Sequence, residues 1–323
     1  MPEIKLSVVV PLYNNGDVVK RALHSIFSQT VSGFEVVVVN DGSTDGGEKI
    51  VRDLNDEHIR VVDQENKGVS AARNRGIAEA RNELVAFLDA DDEWKPDFLE
   101  TICRLNQTFS TCSVFATHYL YKELDGNIRP PILHGILQGP WEGVLENYFE
   151  IAAHSDPPLW SSAIAVKKSA LLSIGGFPEG IAIGEDLLTW ARLAVNYQIA
   201  FSKRPSAVFW LRGSLTGYPT RIPEIPDSVG DQLIALLPQV RSNQRKSFFQ
   251  YVGMWHRMRA SMFVQRGDSS NALAEAVKML HYSKMSPQAT AYFLLAITPK
   301  MIRKFVLQIF TFIKRVRRRI FIG

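Results

Sequence analysis

The sequence predicts an α/β fold, a mostly parallel sheet flanked by helices, followed by a C-terminal helical extension. Three observations predict it. Strand and helix patterns alternate through the first 110 residues, the order expected of a parallel sheet with right-handed crossovers. The run Leu84-Val85-Ala86-Phe87-Leu88 is apolar without alternation, as in a strand buried on both faces. It ends directly on Asp89-Ala90-Asp91-Asp92-Glu93, and open α/β sheets bind ligands at the carboxyl ends of their strands.

Taken in order, Leu6 to Pro11 reads as a strand, Leu12-Tyr13-Asn14-Asn15-Gly16 as a loop and Asp17 to Gln29 as a helix. Phe34 to Val39 is the next apolar run, Asn40-Asp41-Gly42-Ser43-Thr44-Asp45 a turn, and Gly46 to Asn55 a helix. Ile59 to Val62 is a short strand, Gln64 to Gly68 a loop, and Val69 to Ala80 a helix leading to the strand before the acids. From Ser113 to Trp141 the pattern weakens, and Tyr119, Tyr121 and Pro130-Pro131 point to irregular or antiparallel structure. Ser161 to Val166 is a strand, Lys168 to Ile174 a helix closed by Gly175-Gly176, Asp186 to Val195 a helix, and Ala207 to Leu211 the last strand. The Pro- and Gly-containing stretch Gly213 to Asp227 divides residues 1–215 from a region 216–323, where Gln232 to Leu237, Gln244 to Gln265 and Ser270 to Tyr282 read as amphipathic helices.

Two cysteines, Cys103 and Cys112, cannot build a disulfide framework and suit a reducing compartment. Met1 to Leu6 lead straight into Ser7-Val8-Val9-Val10 without a basic and apolar leader, which predicts a cytoplasmic protein. The net charge of +4 is uneven: ten Lys or Arg and no acid lie from Ala276 onward, so the remaining 27 basic and 33 acidic residues leave −6 on the body. That excludes a nucleic-acid footprint there. The seven histidines show no metal-ligand spacing, and no Ser-His-Asp arrangement can be argued.

Asp89, Asp91 and Asp92 crowd like charges, which resist ionising together unless a divalent cation compensates. Mg²⁺ or Mn²⁺ suits such hard oxygen ligands. A plain acidic turn with Asp91 or Asp92 capping the next helix is the competing reading. Asp41 could likewise form an Asx turn, and Glu185-Asp186 could simply favour a helix N-terminus.

Taken together, Val8-Val9-Val10-Pro11-Leu12-Tyr13-Asn14, Val39-Asn40-Asp41-Gly42-Ser43-Thr44-Asp45, Asn66-Lys67-Gly68 with Ala72-Arg73-Asn74, and the Asp89 cluster resemble glycosyltransferase family 2. The resemblance covers about residues 5 to 215 and implies the Rossmann-like GT-A fold and a nucleotide-diphosphate sugar donor. It implies that Pro11, Tyr13, Asn14 and Asp41 hold the nucleoside, with Lys67 and Arg73 near the nucleotide and its phosphates. By the same resemblance Asp89-Ala90-Asp91 forms the Asp-x-Asp element, with Asp91 or Asp92 ligating the metal and Asp89 contacting ribose or metal. Gly175-Gly176-Phe177-Pro178-Glu179 and Gly184-Glu185-Asp186 are similar to the family's second signature, which makes Asp186 the general base of an inverting transfer and Glu185 its acceptor-binding neighbour. Trp160, Trp190 and Trp210 are candidates for sugar stacking or core packing, and Arg212 for the diphosphate or the bare surface.

In the tail, Phe305, Ile309, Phe310, Phe312 and Ile313 lie beside Lys314-Arg315-Val316-Arg317-Arg318-Arg319. Neither apolar piece is long enough to span a bilayer. The pattern suits either a helix lying on an anionic membrane surface or one packed on the protein. The expected activity is transfer from a UDP-sugar to an acceptor hydroxyl on a cell-envelope polysaccharide or lipid-linked glycan. The alternative is a non-catalytic nucleotide-sugar or glycan-binding module, against which stand the intact Asp91 and Asp186.

Overall fold

The computed structural model describes residues 5–137, 139–211 and 222–282, with positions 294, 295 and 298. Arg212, most of the Gly213 to Asp227 boundary and the Phe305 to Arg319 tail lie outside the described residues.

The first half builds as its pattern predicts, with β1 (Leu6–Leu12), α1 (Val19–Phe27), β2 (Phe34–Asp41), α2 (Gly47–Arg52), β3 (Ile59–Gln64), α3 (Val69–Glu79) and β4 (Leu84–Phe87). These four strands are parallel in the order β3-β2-β1-β4, which brings their carboxyl ends to one edge. Next come β5 (Glu93–Trp94), α4 (Phe98–Thr108), β6 (Val114–Lys122), β7 (Ile128–Arg129), β8 (Glu142–Val144) and α5 (Tyr148–His154). A 3₁₀ turn, Ser161–Ala163, leads into β9 (Ile164–Lys167), followed by α6 (Lys168–Ser173), α7 (Glu185–Asn196) and β10 (Ile199–Trp210). The helical region comprises α8 (Ser228–Ala235), α9 (Arg245–Arg266) and α10 (Ser269–Tyr282).

Among the described residues the ten strands form one sheet, along the path β3-β2-β1-β4-β9-β6-β10-β5 with β7 on β6 and β8 on β10. Beyond β4 it is mixed, because β9 runs antiparallel between β4 and β6, while β6 and β10 are parallel. Several elements differ from the sequence expectation: α8 starts at Ser228 rather than Gln232, β5 and α5 have no counterpart in it, and two strands differ in extent. Where the pattern weakens, β6 is a nine-residue strand with Val114 to Tyr119 buried; Thr117 and His118 interrupt its apolar run, yet both are buried too. Burial and the nearby Lys203 push the His118 imidazole down to about 4, so it sits there uncharged. The last strand begins eight residues earlier than expected, at Ile199, and accommodates Pro205 at a break in register against β6, where a missing N–H costs least.

Alternate residues of the central strands serve opposite faces, as a period of two requires. Val8, Val10, Val36 and Val38 pack with α1 and α4, whereas Val9, Val85 and Phe87 pack with α5, α7, α8 and α9. Phe248, Tyr251, Val252 and Trp255 on α9 belong to this second core, so the helical region and the sheet share apolar contacts, while Phe263 packs with Val264 and with Ala272 of α10. Among the described residues no helix is long and apolar enough to cross a membrane.

Helix α3 lies unusually close to β1. A Cβ on Gly76 would fall 2.2 Å from Cγ1 of Val9, a fully buried side chain. Overpacking of this kind costs about 1–3 kcal/mol and opposes a helix-propensity gain of at most about 1 kcal/mol. Urea denaturation should therefore show Gly76→Ala less stable than the parent; equal or higher stability would refute this packing.

Candidate active site

The first two strand ends are tied to each other. Asn14, at φ +50, accepts from the Thr44 amide at 2.8 Å through Oδ1 and donates its own N–H to Ser43 Oγ at 3.2 Å. Asp45 accepts from the amides of Gly16 at 2.8 Å and Gly47 at 3.0 Å, and these bonds hold its carboxyl below the usual range. Pro11 is buried in β1, while Tyr13 is 48% exposed and open to a ligand.

Asp41, at the end of β2, is buried and reaches forward in the chain. It accepts from Gln64 Nε2 at 2.7 Å and from the amides of Lys67 and Gly68, each at 2.9 Å. The local turn is instead made by Asn40, whose Oδ1 accepts from the Ser43 amide. Asp41 thus sets the loop that opens α3 and leaves the Lys67 side chain on the surface.

The three aspartates after β4 occupy different environments. Asp89 is bound through Oδ1 to Arg73 Nη2 at 2.7 Å, and its amide donates to Ser162 Oγ at 3.0 Å. Ala90 is buried, and Asp91 is half-buried with its carbonyl accepting from Arg21 Nη2 at 2.5 Å. Asp92 turns into the body. It accepts from Ser162 Oγ at 2.5 Å, Trp160 Nε1 at 3.1 Å and the Trp210 amide at 3.2 Å. Burial, with Asp89 and Asp91 close by, pushes its carboxyl up to about 8. Neither Asp91 nor Asp92 caps α4, because β5 intervenes and the helix is preceded by Asp97. Both Asp92 oxygens accept hydrogen bonds, from Ser162, Trp160 and Trp210, whereas Asp89 gives Oδ1 to Arg73, so of the three acids Asp91 and Asp89 better suit a divalent ion's need for hard oxygen donors.

Arg73, on α3, is the buried cation among these acids. Its Nη2 holds Asp89, its Nη1 lies 3.8 Å from Glu185 Oε1, and its guanidinium sits 5.1 Å over the Phe177 ring. Burial opposes the charge, but Asp89, Glu185 and Asp186 outweigh it and raise the Arg73 pKa. Glu185 and Asp186 open α7 behind Gly184, whose φ of +86 turns the chain into the helix. The Leu187 amide donates to Asp186 Oδ1 at 2.7 Å. Burial nevertheless raises the Asp186 pKa, opposed chiefly by Arg73. Asp89 and Glu185, read from separate motifs, therefore converge on the Arg73 guanidinium, whose charge Asp186 also favours.

The tryptophans separate. Trp190 is in the core against Phe177. Trp160 lies 4.3 Å from Phe209, ring centre to ring centre. The Trp210 ring already carries Arg21 at 3.9 Å and Lys122 at 4.1 Å from its centroid. These contacts make Trp190 a core residue and give the Trp160 and Trp210 rings protein partners of their own.

Two features were not read from sequence. Asn74 follows Arg73 and clamps the loop before α7, with Nδ2 donating to Phe177 O at 2.8 Å and Glu179 Oε1 at 2.9 Å while Oδ1 accepts from the Phe177 amide at 2.8 Å. Its signal was its place within Ala72-Arg73-Asn74. The second is a buried cluster of Asp227, His256 and Glu275, whose potential ligand atoms lie within 4.8 Å of one another. Arg259 Nε is 3.3 Å from Asp227 and 3.1 Å from Glu275, so both carboxylates already face a cation. The three residues come from α9, α10 and the residue preceding α8, which no spacing rule would join.

Residues 7–163 match the family model described as glycosyl transferase family 2. Among curated proteins, the uncharacterized glycosyltransferase alr2836 of Nostoc is 38% identical over 140 residues, 42% of either chain. The putative teichuronic acid biosynthesis glycosyltransferase TuaG of Bacillus subtilis is 34% identical over 145 residues, 44% of this chain and 57% of TuaG. The matches thus span less than two thirds of either relative. The crystal structure of S. aureus TarS 1–349 in complex with UDP-GlcNAc superposes with a TM-score of 0.67 over 90% of this chain and 84% of that one, at 18% identity. That likeness shows the GT-A fold.

Asn74→Ala removes three hydrogen bonds and strands a buried amide, at a cost of about 1–3 kcal/mol. Hydrogen exchange should show the Phe177 amide losing protection in this variant; unchanged protection would mean the clamp does not hold the loop.

Proposed function

The chain carries a glycosyltransferase family 2 domain over residues 7–163, and from that premise we propose that it is an inverting glycosyltransferase. It moves a sugar from a nucleotide-diphosphate sugar, a UDP-sugar, to an acceptor hydroxyl in the synthesis of a cell-envelope polysaccharide or lipid-linked glycan. The observation that carries this reading is the convergence of Asp89 and Glu185 on Arg73, whose charge Asp186 also favours; it couples a strand-end acidic edge to a second pair of carboxylates at a helix start. The UDP-GlcNAc complex of TarS and the teichuronic acid assignment of TuaG support the donor and the envelope setting. Residues 1–215 form the catalytic region and 216–323 its helical support. The reaction belongs on the cytoplasmic side, with the basic tail resting on anionic lipid.

In this reading Pro11, Tyr13, Asn14 and Asp41 line the nucleoside subsite, with the exposed Tyr13 as its outer wall. Lys67, beside the loop that Asp41 sets, and Arg73 lie toward the phosphates. Asp91, with Asp89 and the intervening Ala90, would hold Mn²⁺ or Mg²⁺, which when bound supplies positive charge to the diphosphate leaving group. Asp92 anchors that turn. Asp186 takes the proton from the acceptor hydroxyl, and Glu185 orients the acceptor while sharing Arg73 with Asp89. A carboxylate partly shielded from water and raised in pKa is the better base at neutral pH.

Two variants separate the roles. Asp91→Ala should abolish transfer and weaken Mn²⁺-dependent UDP binding, measured by calorimetry. Asp186→Asn should lower turnover by about 10²–10⁴ and leave UDP binding intact; normal turnover would remove Asp186 as the base.

The pH profile follows from the Asp186 environment. Only the ionised carboxylate accepts a proton, and its pKa is raised, so activity is lost earlier on acidification than for an ordinary aspartate. The acid limb of kcat/KM should lie above the ordinary value of about 3.9; a limb at or below it would contradict this assignment.

A further inference from the structure

A cleft of 460 Å³, bordered by Asn74, lies between α3, the loop before α7, α7 and α8. Its walls combine apolar side chains, Ile174, Phe177, Pro178 and Ile181, with the polar groups of Asn74, Arg192, Ser228 and Gln232. Arg192 is half-buried and its Nη2 donates to Gln232 Oε1 at 2.6 Å; Gln232 Nε2 in turn donates to Ser228 Oγ at 3.0 Å. This chain of bonds aims a guanidinium without neutralising it, since Arg192 makes no ion pair among the described residues. Burial alone lowers its pKa, with no acid acting to raise it. The Glu179 carboxylate also lines the cleft and accepts from Asn74 Nδ2 at 2.9 Å.

A guanidinium held this way favours an anion, because Arg presents planar, fixed donors suited to carboxylate and phosphate oxygens. A mostly polar surface of amide, guanidinium and hydroxyl groups, with a smaller apolar share from Ile174 and Ile181, suits the hydroxyls of a sugar ring. Phe177 joins the cleft to the catalytic region, since Arg73 lies over its ring, and the segment from Phe177 to Asp186 runs from the cleft to the carboxylates. We propose that this cleft binds an acidic saccharide, a sugar unit carrying a carboxylate or a phosphate, as part of the acceptor. The proposal rests on the glycosyltransferase reading and adds the chemical class of its acceptor.

The test titrates the full chain with D-glucuronate, glucose 6-phosphate and D-glucose by ligand-observed NMR, with UDP and Mn²⁺ titrated separately. At least one of the two anionic sugars should bind about tenfold or more tightly than glucose, the value of one charge-assisted hydrogen bond. Whichever binds more tightly identifies carboxylate or phosphate as the preferred group. Arg192→Gln should erase the preference, and Arg192→Lys should keep part of it, both with unchanged UDP binding and thermal unfolding. Equal binding of glucose and both anions, or an intact preference in Arg192→Gln, would overturn the proposal. UDP that fails to bind the parent protein would strike the donor reading instead, leaving the sugar titrations to decide the cleft.

Discussion

The site depends on a buried positive charge. Arg73 has only 4% of its side chain exposed, and a guanidinium so placed is tolerable only with anionic partners, because the loss of hydration otherwise outweighs other gains. Asp89 supplies one partner from the end of β4 and Glu185 the other from the start of α7. Two elements almost a hundred residues apart in the chain are thereby fixed to the same side chain. Their own carboxylates, which would repel each other across the gap, are held together by it.

Helix α3 is the element through which this constraint spreads. At its start, the amides of Lys67 and Gly68 are held by Asp41 from β2; in its middle, Arg73 and Asn74 hold the strand-end acids and the loop before α7; further along, Gly76 lets it rest on β1. Like-charge crowding is relieved at the same edge in a second way. The Asp92 carboxyl, which burial and the neighbouring Asp89 and Asp91 push up to about 8, turns away from that edge toward Trp160, Ser162 and Trp210.

Much of this was legible in the chain because it is local. The alternation that predicts β1 through β4, and the turn residues at their ends, depend only on neighbours in sequence, and the structure keeps those elements to within a few residues. What was not legible depends on distant partners. Strand β6 reads poorly because Thr117 and His118 break its apolar run, and its place is settled by β9 and β10. Nothing within Asp91-Asp92 tells which side chain faces outward; that is decided by Trp160, Ser162 and Trp210, between 68 and 118 residues downstream. Asn74 and Arg192 have roles only once α7 and α8 are packed, and the Asp227, His256 and Glu275 group exists only where separate helices meet.

Ser162 carries a consequence for the order in which the molecule can be completed. Its hydroxyl accepts from the Asp89 amide and donates to Asp92, and its carbonyl receives the indole of Trp94 at 2.7 Å. During synthesis the strands β1 to β4 emerge with their acids long before this serine does. Until the chain has grown past it, the acidic turn has neither its hinge nor its seal, although the parallel half of the sheet can already pair. Domains fold as units while they leave the ribosome, and here the unit closes backwards: a late turn, Ser161–Ala163, locks an early one at Asp89 and Asp92.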